Sequence, residues 1–449
     1  MPQLPQDFLF GVATAAYQIE GAVTEDGRGR SVWDDFCDRP GAIVDGSSGA
    51  SACDSYHLYK EDVDLMAGLG IDAYRFSISW PRIQPDGFGA VNQAGLDYYD
   101  RLVDALLARG IRPAATLFHW DLPSPLEAEG GWLQRETAEA FADYARIVAE
   151  RLADRVAMWT PVNEPNIVTS LGYSTGMHAP GRTLGLYALP AAHHLLLGHG
   201  LAVGALRAAG AKSVGCAQNH TVVWPTSQEE SDVAAADLFD TIFNRMYAEP
   251  ILHGTYPDGI AQMMPGPVEH DVKIIGAPLD FYGFNYYNPT LVGSPHAGER
   301  IGAEIAVDLP FSRHEIQGYP MTDFGWPVVP EGLLAVMRQL RERYGDRLPP
   351  LFVTENGCAY NTGPDDKGVV MDTERVTFYD GHLAAVSQAI AEGIDVRGYF
   401  AWSLMDNFEW AEGFTKRFGL VYTDFETQQR IPKLSYDWYA DLIRRTKAG

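Results

Sequence analysis

The sequence predicts an α/β protein built as one closed (β/α)8 barrel, with long βα loops at the C-terminal face of its strands. Three observations carry this. Short apolar or β-branched runs alternate with longer segments of helical periodicity, the mark of βαβ units and a parallel sheet. The runs number eight, and right-handed crossovers bring eight strand-helix pairs round to closure more naturally than they extend an open sheet. The excess length falls after strands one, four and six, in Gly-, Pro- and Asp-rich stretches at 24–55, 176–185 and 288–330.

Taken in order, the strand runs are 8–13, 73–80, 112–120, 158–165, 213–220, 280–287, 350–356 and 396–405. Helical segments at 57–69, 94–109, 136–151 and 191–209 carry apolar residues at three- and four-residue spacing, so each presents one face to a sheet. Three of them stop at Gly70, Gly110 and Gly210, where a left-handed C-cap suits glycine best. No repeat, low-complexity tract or charge block divides the chain. Its 449 residues therefore read as a single domain, residues 1–449, within the range of barrels that carry insertions.

Composition narrows the partners. With 34 basic and 59 acidic side chains the formal charge is −25, which opposes a nucleic-acid groove or an anionic membrane surface as partner. The four cysteines, Cys37, Cys53, Cys216 and Cys358, have neither disulfide-framework nor zinc spacing and read as free thiols. The first basic residue is Arg28, so the apolar start lacks the flank of a secretory signal, and no run nears about 18 apolar residues. A cytoplasmic enzyme is expected, and a homo-oligomer is compatible with that.

The ends of the predicted strands collect chemistry. Arg75 comes from the second run, His119 and Trp120 from the third, Asn163 and Glu164 from the fourth, Tyr287 from the sixth, Glu355 from the seventh and Trp402 from the eighth. A lone strand-end glutamate is ordinarily a solvated loop carboxylate. Two, joined at one rim by Arg, His, Tyr and Trp, are equipped to split a glycosidic bond, and the aromatic rings with fixed polar groups suit the two kinds of surface on a sugar. Glu164 has to be neutral to protonate a leaving oxygen, while Glu355 has to be ionised to attack carbon, with Arg75 the cation best placed to hold it so. Pro165 biases Glu164 toward an extended backbone. No cofactor is called for, because the two carboxyls supply both nucleophile and acid.

The stretches Phe8-Leu-Phe-Gly-Val-Ala-Thr-Ala-Ala-Tyr-Gln-Ile-Glu20, Tyr74-Arg-Phe-Ser-Ile-Ser-Trp-Pro-Arg82, His119-Trp120, Thr160-Pro-Val-Asn-Glu-Pro165, Asn285-Tyr-Tyr287, Val353-Thr-Glu-Asn-Gly357 and Trp402-Ser-Leu-Met-Asp-Asn-Phe-Glu-Trp410 resemble family 1 glycoside hydrolases. The likeness runs in order from residue 8 to residue 438. It implies a retaining β-glucosidase with Glu164 as acid/base and Glu355 as nucleophile, about 5 to 5.5 Å apart, acting on small β-glucosides and cello-oligosaccharides. By the same resemblance Gln18, His119, Asn163, Glu409 and Trp410 hold sugar hydroxyls, Trp402 is the platform under the ring, and Trp326 lines the aglycone entrance. Asn285 and Tyr287 belong to the same substrate-binding set. A role in cellulose breakdown is part of the implication, with broader galactoside or fucoside use, or mainly transglycosylation, as alternatives. A non-catalytic sugar-binding protein is disfavoured, since both catalytic glutamates are present.

The tail separates two branches of that family. Those that take 6-phosphorylated sugars carry Ser where this chain has Glu409, with Lys and Tyr at the positions of Lys416 and Phe418; the unphosphorylated branch is therefore expected, Glu409 repelling a phosphate. One departure from the family is Asn166, where a bulky side chain is frequent, and it suggests a wider, more polar site for the leaving group. Three weaker signals point to structure rather than chemistry. Residues 172–176 fit GxSxG without its strand-to-helix context. His193, His194 and His199 share a helical pattern without zinc-protease spacing, and the sequon at Asn219 ends a strand, where a buried or site-lining Asn is expected.

Overall fold

The computed structural model describes residues 2–295 and 309–449. Eight parallel strands form its centre: β1 (Leu9–Ala13), β2 (Ala73–Ser77), β3 (Arg112–Phe118), β4 (Met158–Val162), β5 (Gly215–Asn219), β6 (Phe281–Asn285), β7 (Leu351–Asn356) and β8 (Val396–Trp402). Sequence neighbours pair from β1 to β4 and from β5 to β8. β8 then returns to β1, with Leu9 opposite Gly398 and Ala13 opposite Trp402. The last seam, β4 against β5, is held by parallel bridges at Trp159–Val214 and Asn163–Ala217, so the barrel is nearly closed. Both faces of the strands are covered, and β1 and β2 are buried throughout, which is why these runs read as continuously apolar.

The helices α1 (Ser55–Leu69), α2 (Gln93–Ala108), α3 (Arg135–Leu152), α4 (Leu189–Ala208), α5 (Val268–Ile275), α6 (Pro330–Tyr344), α7 (Thr373–Ala391) and α8 (Leu434–Ala448) follow the strands in turn. Gly70, Gly110 and Gly210 sit past the ends of α1, α2 and α4 at φ of 74°, 73° and 91°, the left-handed caps expected of them. The four helices read from the sequence begin and end within two residues of the observed bounds. α4 differs in one respect. Residues 185–208 form a helical stretch apolar and long enough to cross a membrane by composition, although 78% of its most apolar window is buried inside the protein. It packs against both α3 and α5, which removes the polar face an outer barrel helix usually keeps.

Several strands stop earlier than their apolar runs. The second ends at Ser77, the third at Phe118, the fourth at Val162 and the eighth at Trp402. Prolines explain two of these cases. Trp80–Ile83 and Pro165–Ile167 are short helices, each with proline in its first turn, where the missing N–H would have no partner anyway. Of the expected loop at 288–330, positions 296–308 lie outside the described residues. Its described flanks supply two short strands, Thr290–Gly293 and Ser312–His314, which pair antiparallel and form a small sheet with Val223–Pro225.

Buried ion pairs fix the loops that follow β1 and β8. Arg82 meets Glu20 at 3.0 Å and Arg28 meets Asp34 at 2.8 Å, holding the stretch that carries Gln18 and Trp33. Asp406 receives Lys433 at 2.7 Å and Arg417 at 2.8 Å, just before Glu409 and Trp410. At the end of β7, a β-carbon on Gly357 would collide with the carbonyl oxygen of Trp402 at the end of β8. Gly357→Ala should therefore cost about 1–3 kcal/mol of stability, read as a lower Tm in thermal unfolding; an unchanged Tm would show that these strand ends part freely.

Candidate active site

The strand ends meet around one cavity of about 510 Å³. Glu164 and Glu355 line it, with His119, Trp120, Tyr287, Trp326, Trp402, Glu409, Trp410 and Phe418. Gln18, Arg75, Asn163 and Asn285 stand directly behind, all buried. Every residue the sequence singled out as catalytic, binding or supporting thus lies in this wall or bonds to it.

Arg75, rising from β2, organises the polar floor. Its Nη1 donates to Glu355 Oε1 at 2.5 Å and its Nη2 to Asn163 Oδ1 at 2.6 Å. Because Asn163 Oδ1 must accept from a guanidinium, its amide nitrogen points the other way and donates to His119 Nε2 at 3.1 Å. That leaves the His119 proton on Nδ1. Tyr287 donates to the second oxygen of Glu355 at 2.8 Å, so both oxygens of that carboxyl are held.

Glu164 is served differently. Asn285 Nδ2 and Asn219 Nδ2 both donate to its Oε1, at 2.7 and 2.9 Å, which leaves Oε2 as the oxygen to carry a proton. Asn285 in turn is oriented by Thr354, whose hydroxyl donates to its Oδ1 at 2.6 Å. The extended backbone expected of Glu164 is not what forms. Its φ is +47°, in the left-handed region, because its N–H must reach Ala217 of β5 at 2.8 Å while its carbonyl accepts from Ile167 at 3.0 Å to open the helix at Pro165. Strain of this kind in a non-glycine residue persists only where neighbours over-determine it, and here the seam with β5 and the helix at Pro165 do so together.

The protonation pattern follows from burial and charge. Burial, and then the charge of Glu355, pushes Glu164 up to about 8. Burial also raises Glu355 above its ordinary value, but Arg75, Tyr287 and Asn285 pull against it, and of the two it alone touches a cation. Glu409 is likewise pushed up to about 8 by burial and by Glu355. His119 is held well below its usual range by burial and by Arg75, so it is a neutral imidazole at ordinary pH.

Aromatic rings build the remaining walls. Trp410 packs at a tilt against Trp120 at 4.5 Å and Trp33 at 4.6 Å, while Trp402 faces His119 at 5.8 Å. On the other side Trp326 lies on Phe324 at 4.0 Å and near Tyr287 and Phe418 at 5.3 and 5.9 Å. Gln18 donates to the carbonyl of Phe408 at 2.8 Å and reaches Glu409 at 3.4 Å. Its Oε1 and the Nδ1 of His119 are buried with no protein partner, one acceptor and one donor left for hydroxyl groups.

Asn166 lines the cavity, and its Oδ1 is buried with no protein partner, but the rest of the side chain is tied to the wall. Its amide nitrogen is engaged by the carbonyls of Asn219 and Phe243 at 3.0 and 3.1 Å, and the wall beyond it is apolar, with Ile167, Leu189, Ile242 and Met246. Asn219 lines the cavity, as expected at the end of its strand; the contact the sequence did not show is the bond from its side chain to Glu164. Residues 172–176 run through the end of the π-helix Val168–Ser174, not a strand-turn-helix. His193 is a core residue bonded to Tyr256 and Asp271, and no group of three metal-ligating side chains occurs among the described residues.

A barrel mouth with two carboxyls so differently served defines the class, an enzyme that splits glycosidic bonds. The sequence carries the assignment further: residues 1–448 match Glycosyl hydrolase family 1, and the chain belongs to that family. It is 41% identical over 450 residues to beta-glucosidase A of Acetivibrio thermocellus, covering 98% of each chain. It is 44% identical over 460 residues to a bifunctional beta-D-glucosidase/beta-D-fucosidase of Bifidobacterium breve, again covering 98% of each. The solved beta-glucosidase from Thermotoga maritima in complex with glucoimidazole superposes with a TM-score of 0.93 at 40% identity, over 99% of both chains.

Two substitutions should move the Glu164 titration in opposite directions. Removing the neighbouring charge in Glu355→Gln lowers it from about 8, and removing a donor to the carboxylate in Asn219→Ala raises it. Carboxyl 13C NMR, with Glu164→Gln used to assign the signal apart from Glu409, reads both shifts.

Proposed function

We propose that this chain is a retaining β-glucosidase that removes terminal non-reducing β-D-glucosyl residues from small glycosides and cello-oligosaccharides. The observation that carries the reading is the contrast between the two carboxyls, one paired with Arg75 and the other bonded only to neutral amides and pushed up to about 8. Glu355 attacks the anomeric carbon as the leaving oxygen takes the proton from Glu164, giving a covalent glycosyl-enzyme. Esterification removes the charge of Glu355, and with it the push that kept Glu164 protonated. Glu164 then takes a proton from water, the water displaces Glu355, and the sugar leaves with its configuration retained.

Gln18, His119, Asn163 and Glu409 serve the sugar hydroxyls in this reading, Trp402 carries the ring and Trp326 lines the aglycone entrance. A cytoplasmic site of action belongs to the same proposal, supported by four free cysteines of which Cys53, Cys216 and Cys358 are buried. Use of fucosides as a second activity is supported by the bifunctional relative.

The decisive experiment is turnover of p-nitrophenyl β-D-glucoside by wild type and by Glu355→Gly with and without azide. Wild type should show a kcat/KM profile that falls as pH rises through about 8, where Glu164 loses its proton. The variant should lose activity by roughly a million-fold and regain part of it with azide, yielding the α-glucosyl azide. Full activity without azide would remove Glu355 from its role.

A further inference from the structure

The cavity changes character away from its carboxyls. Past Asn166 the wall turns apolar, and Phe243 stacks on Phe239 at 5.2 Å while Phe239 meets Phe311 edge-on at 5.1 Å. Into this lobe the short strand Ser312–His314 brings Arg313, opposite Val292 in its sheet and part of the cavity lining. Among the described residues Arg313 has no carboxylate partner, and burial depresses its pKa with no acid acting against it.

Arg313 is half-buried, and the fully buried arginines of this fold are not left so. Arg28, Arg75, Arg82 and Arg375 each meet a buried carboxylate. In a chain with 59 acidic residues against 34 basic ones, an acid to pair with Arg313 would have been easy to supply. A half-buried guanidinium against apolar walls, with no counter-charge among the described residues, is a poorly solvated cation, and its five fixed donors fit a planar carboxylate in two parallel bonds. The rest of the cavity does not favour anions: its lining also includes Glu164, Glu355, Glu409 and Glu412, and the whole protein is strongly negative. Among the described residues that line the cavity, Arg313 is the cation available to receive an anion.

We propose that Arg313 is a specificity residue for the aglycone, and that the preferred substrates are β-glucosides of apolar, aromatic alcohols or phenols carrying a carboxylate. The inference deepens the β-glucosidase reading and rests on it. The ring would lie among Phe239, Phe243, Phe311 and Ile242, with its carboxylate on the guanidinium.

The test is a series of β-glucosides of hydroxyphenyl-alkanoic acids of increasing chain length, each compared with its own methyl ester. Wild type should prefer at least one acid over its ester by roughly tenfold or more in kcat/KM, the value of a hydrogen-bonded charge pair. In Arg313→Met that ratio should fall below one, and in Arg313→Lys, which keeps the charge, it should stay above one. The readout is the ratio within each variant, so a general loss of activity cancels. If no acid surpasses its ester in wild type, or if Arg313→Met leaves the ratio unchanged, the proposal is overturned. If wild type cleaves no neutral phenyl β-glucoside either, the β-glucosidase reading itself fails, which is a separate result.

Discussion

The guanidinium of Arg75 is the interaction on which the rest of the site depends. One nitrogen holds Glu355 and the other holds Asn163, and through Asn163 it sets the proton position of His119. Asn285 donates to the same Asn163 oxygen at 3.2 Å and to Glu164, so the two carboxyls stand at opposite ends of one bonded network. Such a pair is weak evidence for stability, because desolvating two charges offsets most of their attraction, while removing one partner typically costs about 3–5 kcal/mol. Its use here lies in keeping a negative charge in a place where burial would otherwise neutralise it.

The barrel makes that network readable from sequence. A strand end is a fixed address on one face, so polar residues at the ends of eight apolar runs converge without any long-range contact being known. Arg75, Glu164, Tyr287 and Glu355 were legible for this reason. What was not legible depends on contacts between elements. The left-handed turn at Glu164 arises because β5 captures its N–H, and local sequence, with Pro165 next, points to an extended residue instead. Asn219 could be expected to line the site, but its bond to Glu164 depends on β4 and β5 meeting. Asn166 could not be read as a tether, because the carbonyls it binds lie 53 and 77 residues away.

The loops divide the cavity into two unlike halves. On the side of β1 and β8, ion pairs at Glu20, Asp34 and Asp406 hold Gln18, Glu409 and the Trp33–Trp410–Trp120 cluster, giving a rigid polar-aromatic end suited to hydroxyl groups and ring faces. On the side of β4 to β6 the wall comes from the segments at 166–189, 238–247 and 309–313, mostly apolar, with few buried charges to fix a partner's orientation. In the proposed reading, sugar identity and leaving-group identity would be controlled by different stretches of chain.

The charge states of Glu164, Glu355 and Glu409 also bear on why an unphosphorylated sugar suits this cavity. Of these three, among the described residues, Glu355 has a cation in contact; Glu164 and Glu409 are pushed up to about 8 and are largely neutral at pH 7. A neutral Glu409 repels a phosphate much less than an ionised one, so repulsion, the first expectation from sequence, is the smaller part of the selection. The larger part is the lack of compensation. Lys416 donates to the carbonyl of Asp323 at 2.8 Å and leans toward Glu412 at 3.8 Å, and Phe418, with no hydroxyl, packs against Trp326. A phosphate dianion entering there would give up its hydration for no free cation, a desolvation penalty of several kcal/mol. In the proposed reading a 6-hydroxyl would lose little water and meet in protonated Glu409 a group that both donates and accepts.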